Sequence, residues 1–255
     1  MKYVGELQKK KVFNLSYVTE LAGNENAAKA VLQTYLKKGY IIRIKQNMYA
    51  ATELTGGSVI ANRYEIGSAI NDNAFISNHS ALEYHGYANQ VYYEVTVSSK
   101  SKFKEFSFDG ITYLPHTCII DDGVVVPAGN PLICVTDIER TVIDCIYDIT
   151  RSGGIEEVIE SISLIPFLDE NKLLRYLAGY NQIYLYQKTG YILEAFKEKM
   201  ALSDDFFAVC ESKINNRKKH FTDAYYGKQI YHSKWKLYAP ENPLEILNQG
   251  DDEIV

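Results

Sequence analysis

Apolar residues recur at helical spacing through the first forty residues and then give way to short β-prone runs. Ala28, Val31, Leu32, Tyr35 and Leu36 fall at i, i+3, i+4, i+7 and i+8, one face of an amphipathic helix. Asn24 is placed to cap it, Glu25 suits the positive end of its dipole, and Gly39 supplies the left-handed residue that ends it. Asn26, Lys29, Gln33 and Lys37 lie on the opposite face, and none of them is acidic. Tyr40–Lys45 and Met48–Ala50 follow as β-prone runs joined at Gln46-Asn47, where Asn tolerates the positive φ that Gly adopts more easily. Upstream, Val4 and Leu7 open a short helix ending in Lys9, Lys10 and Lys11, which Phe13 and Leu15 anchor. Ser16 is positioned to cap a second helix over SYVTELAG that stops at Gly23. Three short helices and a two-stranded hairpin within about 50 residues predict a winged helix-turn-helix.

After a linker over 52–58 the character changes. Helices are expected in SVIANRYEIGSAIN and NHSALEYHG, the latter capped by Asn78 or Ser80, and strands in AFIS and VYYEVTVS. Asp109-Gly110 marks a hairpin between Phe103–Phe108 and Ile111–Leu114, with short strands at Val124–Val126 and Leu132–Val135. TDIERTVIDCIYDI and four later segments read as helices, Lys218–Leu237 as strand-like. The predicted class is α+β: a winged helix-turn-helix domain over 1–55, a larger mixed α/β domain over 56–247 with a helical carboxy-terminal part, and a disordered acidic tail over 248–255.

Composition narrows this further. With 46% apolar and 23% charged residues, the 255-residue chain is an ordinary globular protein. No apolar run reaches the roughly 18 residues of a membrane helix, and MKYVGELQKKK lacks a signal-peptide apolar region. Four scattered cysteines and five histidines show no metal-ligand spacing, so a cytoplasmic protein without metal or cofactor is expected. The net charge of −5 is unevenly divided. Residues 1–50 carry nine Lys/Arg against three Asp/Glu; the remainder carries 18 against 29. A basic module within an acidic chain is the asymmetry of a protein that meets nucleic acid with one part.

The candidate chemistry follows. Asn26 and Gln33 can pair with adenine or reach phosphate, Lys29 can pair with guanine or phosphate, and Lys37 and Lys38 suit phosphates. Arg43, Lys45 and Gln46 of the hairpin would lie along the backbone or in the minor groove. The competing reading of this helix is a solvated polar face, outweighed by its place in the winged pattern. In Thr136–Asp144, Thr136 and Glu139 form a capping-box pattern, and Arg140 and Asp144 stand at the spacing of an intrahelical ion pair. Catalysis by Glu139 and Asp144 is the weaker alternative. Ser80 beside His79 and His85 lacks a nucleophile elbow. Gly67-Ser68 with Asp72 lacks the spaced carboxylates of a two-metal nucleotidyl transfer site. Lys213–Lys236 interleaves basic residues with Phe221, Tyr225, Tyr226, Tyr231 and Trp235, a composition suited to single strands or to a core.

Together, the amino-terminal module ending in KKGYIIRIKQNMYA, then FISNHSALEYHG, then VTDIERTVIDCI, resemble the AbiEi family of antitoxins of type IV toxin–antitoxin systems linked to abortive phage infection. The resemblance covers roughly the first 150 residues. Asp137 stands where the family signature Thr-Pro-Glu-Arg-Thr-x-x-Asp has Pro, and Asn47 where the wing tends to have Gly. The resemblance implies a non-enzymatic autorepressor that binds inverted repeats of double-stranded DNA in its own promoter. It also implies a functional partner, a nucleotidyltransferase-like toxin countered without a stable complex. The alternatives are an enzyme, nuclease or nucleotidyltransferase, delivered by the winged helix, and a ligand-sensing transcriptional regulator.

Overall fold

The computed structural model of the protein describes residues 2–222 and 227–250. Tyr225, Tyr226 and residues 251–255 of the expected tail lie outside them; residues 248–250 belong to a 3-10 helix over Pro243–Gly250. Among the described residues the architecture is mixed α+β with three sheets, in two compact units. Unit one takes in Met1–Ile76, Tyr93–Thr117 and Val126–Val135; unit two takes in Ser77–Tyr92, Cys118–Val125 and Thr136–Val255.

Unit one begins with α1 (Val4–Lys10), β1 (Val12–Phe13), α2 (Leu15–Ala22), α3 (Glu25–Lys37), β2 (Ile41–Lys45) and β3 (Met48–Ala51). Leu7, Val18, Ala28, Leu32 and Ile41 fill a small core of their own. The strand β1 was not anticipated. It pairs antiparallel with β3, Val12 opposite Ala50, and completes a three-stranded sheet of order β1-β3-β2. The cap of α2 is Asn14, whose Oδ1 accepts from the Tyr17 N–H at 3.0 Å; Ser16 lies inside the helix. The expected linker is tied down: Thr52 is buried, bridges to Val59, and donates its hydroxyl to the Gly39 carbonyl at 2.5 Å.

The rest of unit one is α4 (Arg63–Ser68) against a sheet of β4 (Phe75–Ile76), β5 (Glu94–Ser99), β6 (Phe106–Phe108), β7 (Ile111–Thr117) and β9 (Val135–Thr136), with β8 (Val124–Val125) falling in unit two. The strand order is β6-β7-β5-β4-β9. Asp109 and Gly110 both take positive φ in the β6–β7 turn, as a tight hairpin requires. Gly67 is a packing residue, since a Cβ there would stand 2.7 Å from Ile76 Cδ1. Glu65 closes a capping box with Asn62 and is buried, bonded to Lys11 Nζ at 2.6 Å and Asn130 Nδ2 at 2.6 Å.

Unit two is mainly helical: α5 (Asn78–His85), α6 (Ile138–Tyr147), α7 (Ile155–Leu164), α8 (Glu170–Tyr180), α9 (Ile183–Glu194), α10 (Lys197–Met200) and α11 (Asp204–Ser212). A small sheet of β10 (Lys219–His220), β11 (Ile230–His232) and β12 (Leu237–Ala239) follows in the order β10-β12-β11. On α6, every residue from Glu139 to Ile146 is buried. Asn78 does not cap α5; it sits inside the helix at positive φ and donates Nδ2 to the Asp144 carbonyl at 3.2 Å. The N-cap position belongs to Ser77, whose side chain makes no capping bond. On α9, a Cβ at Gly190 would lie 2.1–2.6 Å from the Trp235 ring, so the indole packs directly on the helix backbone.

Candidate nucleic-acid interface

The helix α3 is built as its residue pattern demands. Asn24 Oδ1 accepts from the Ala27 N–H at 2.9 Å, and Gly39 takes a φ of 69° just past the helix end. Ala28, Leu32 and Tyr35 are buried, while Val31 and Leu36 pack against the same core from its rim. That seating turns Asn26, Lys29, Gln33 and Lys37 outward, and all four are exposed. Asn26 to Lys37 spans about 16 Å of axis at ~1.5 Å per residue, enough to follow several base pairs along a major groove. Thr34 and Ala30 are exposed on the same helix and were not singled out from the sequence; neither residue type carries a charge signal.

Lys29 is not idle in the unbound protein. Its ammonium pairs with Glu25 at 2.5 Å, each side chain 60% exposed, and this partner holds the Glu25 carboxyl below its ordinary range. An exposed i, i+4 pair of this kind is weak and exchanges readily for another anion. Lys38, at the helix end, is also exposed.

On the hairpin, Arg43 and Gln46 are exposed, with the Arg43 guanidinium donating to the Tyr49 hydroxyl at 3.2 Å. Lys45 departs from expectation. It is half-buried, with its ammonium 4.2 Å from the Phe106 ring centroid, and burial lowers its pKa. A lysine stem packed on an aromatic ring still keeps its charge near the surface. Asn47 takes a φ of 57° at the turn, and its Oδ1 accepts from the Leu15 N–H at 2.9 Å. Gly could supply the turn but not that bond, which ties the hairpin tip to the first turn of α2. Beside the tip lies a cavity of about 600 Å³ lined by Lys10, Ser16, Tyr17, Gln46 and Asp72 among others.

The charged residues of α6 and the two histidines of α5 are engaged in structural bonds. The cap of α6 is Asp137, whose Oδ1 accepts from the Arg140 N–H at 2.9 Å; Thr136 instead sits in β9. Arg140 and Asp144 pair at 2.5 Å with 2% and 3% of their side chains exposed. Arg140 also donates to the carbonyls of Ile120 at 3.1 Å and Asp122 at 2.5 Å, and Tyr180 donates to Asp144 at 2.5 Å. The ion pair expected from the i, i+4 spacing is therefore the centre of a buried network. Burial and the Asp144 charge push the Tyr180 phenol well above its ordinary range. Glu139 accepts from the Asp169 N–H at 3.0 Å and from Lys172 at 3.1 Å. His79 bonds Glu157 at 2.9 Å in the interior, and His85 the Thr136 carbonyl at 2.7 Å. Among the described residues, no group of three or more His, Cys, Asp or Glu side chains is placed to hold a metal ion, and no helix is long and apolar enough to cross a membrane.

No protein-family model matches the chain, and no curated protein matches it. Among solved structures, the chain is similar to that of the RV2827C protein from Mycobacterium tuberculosis, with a TM-score of 0.65 over 97% of this chain and 92% of that one. At 14% identity the likeness is one of fold.

Proposed function

We propose that the protein is a DNA-binding autorepressor and the antitoxin of a type IV toxin–antitoxin pair, with residues 1–51 acting as a winged helix. The observation that carries the DNA-binding half is the exposed Asn26-Lys29-Gln33-Lys37 face of α3, beside a hairpin that presents Arg43 and Gln46. In this reading α3 enters the major groove, Lys37 and Lys38 neutralise phosphates, and the hairpin follows the backbone. Lys45 serves as a phosphate charge held in place by Phe106. The operator is an inverted repeat in the protein's own promoter.

The antitoxin half draws support from the resemblance carried by FISNHSALEYHG and VTDIERTVIDCI. The protein acts without catalysis, and its partner is a nucleotidyltransferase-like toxin that it counters without a lasting complex. Mobility shift on the promoter upstream of its own gene tests the first half. Lys29→Ala with Gln33→Ala should abolish the specific band, and undiminished binding by a folded double variant would remove α3 from the groove. Co-expression with the neighbouring nucleotidyltransferase tests the second: growth should recover without co-purification of the pair, and unrelieved toxicity would refute the antitoxin role.

A further inference from the structure

Lys213–Lys236 carries seven Lys/Arg against one acidic residue, Asp223, in a chain whose net charge is −5. The strands of this stretch and the one that follows sort its aromatic residues between core and surface. In β12, Leu237 and Ala239 are buried in the core of unit two, and Tyr238 between them is only half-buried, turned to the outer face. The register sets His220 of β10 and Tyr231 of β11 beside Tyr238, one on each flank. Side chains opposite one another across a ladder share a face. The three rings therefore form one row, with centroids 5.1 Å apart on both sides of Tyr238 and the His220 and Tyr238 planes only 22° apart.

Cations border this row. Lys218 holds its ammonium 4.7 Å from the Tyr231 centroid, and Lys213, Arg217, Lys218 and Lys219 are all exposed. Among the described residues, none of these four has a carboxylate within ion-pair distance, in contrast to Lys234, which pairs with Glu194 at 2.5 Å beside the buried Trp235.

We propose that this outer face of the small sheet binds single-stranded RNA. Bases extend the row of rings by stacking, displacing the Lys218 ammonium from the Tyr231 face onto a phosphate, while Arg217 and Lys219 take neighbouring phosphates. A duplex keeps its bases stacked on one another and offers no free base face to such a row, so the ligand is a single strand. RNA rather than DNA is indicated by Gln229, which bonds His220 at 3.1 Å and so sets an amide beside the row, where it can meet a 2′-hydroxyl.

Fluorescence polarisation with the full chain and a labelled oligouridylate of about 12 nucleotides tests this. Tyr231→Ala should weaken binding about tenfold or more, and Tyr231→Phe should restore it. Lys218→Gln with Lys219→Gln should weaken binding and flatten its salt dependence by about 0.7 per lost phosphate contact. Lys29→Ala with Gln33→Ala should leave oligouridylate binding unchanged, which separates this face from α3 whatever becomes of the promoter reading. Absence of saturable binding by the wild type overturns the proposal. So does full affinity in a Tyr231→Ala protein of native circular dichroism; should that variant unfold, full affinity in the lysine variant is equally decisive. Oligothymidylate bound as tightly as oligouridylate overturns the assignment to RNA.

Discussion

Two ion pairs with the same i, i+4 spacing and the same 2.5 Å separation divide this molecule. Glu25–Lys29 on α3 is 60% exposed on both sides, whereas Arg140–Asp144 on α6 is 2–3% exposed. Their surroundings decide what each pair does. In water the first is worth little and its lysine can be taken by a phosphate. The second has lost its hydration and is held by two backbone carbonyls and a tyrosine, so its charges are committed to the fold. The face available for a ligand and the interior framework are thus built from one side-chain vocabulary. Burial, not residue type, decides which charges stay open to an outside partner and which are committed to the fold.

The comparison breaks most visibly by removing one partner from each pair. Arg140→Met leaves Asp144 buried and uncompensated, and should cost about 3–5 kcal/mol in urea unfolding. Glu25→Gln should cost less than about 1 kcal/mol, the loss of an exposed pair and of a charge at the helix start. Equal effects would erase the distinction.

Unit one holds a buried carboxylate of its own, which sharpens the contrast. Burial alone would raise the Glu65 pKa, but the bonds from Lys11, Asn130 and the Asn62 N–H outweigh it and hold the carboxyl below its ordinary 4.5. A depressed carboxyl contributes stability that is fully present above its unfolded value and lost as pH falls through the folded one. Glu65→Gln should therefore cost about 1.5–3 kcal/mol at pH 7. The wild-type advantage should shrink as pH falls below 4.5, and a constant advantage down to pH 2 would contradict this account of Glu65. Shape alone has a smaller effect. Gly190→Ala should destabilise by about 1–3 kcal/mol through overpacking. The fluorescence of Trp235, the single tryptophan, should report the loosened contact by a red shift.

Much of α3 and its hairpin was legible because the signals are local. Asn24, the apolar stripe, Gly39 and the Gln46-Asn47 turn all act within a few residues of one another. Where two nearby residues could cap, the pattern misled: Ser16 was read for Asn14, and Thr136 for Asp137, because the cap is chosen by backbone dihedrals that residue type does not reveal. The strand β1 is two residues long, too short for alternation to show, and its partner lies more than thirty residues onward. The weight of Arg140–Asp144 depends on carbonyls 18 to 20 residues upstream, and the place of Lys45 on a ring 61 residues away. The row of rings on the small sheet needed strand register, which the basic-aromatic composition of the stretch only hinted at.

The most direct test of the central claim is the salt dependence of promoter binding by wild type and by Lys29→Ala. If the exposed pair on α3 yields its lysine to a DNA phosphate, the variant should bind more weakly. Its slope of log affinity against log salt should also be smaller by about one unit. Unchanged affinity and slope in a folded Lys29→Ala protein would contradict the account: the outward face of α3 would then be a solvated surface and nothing more.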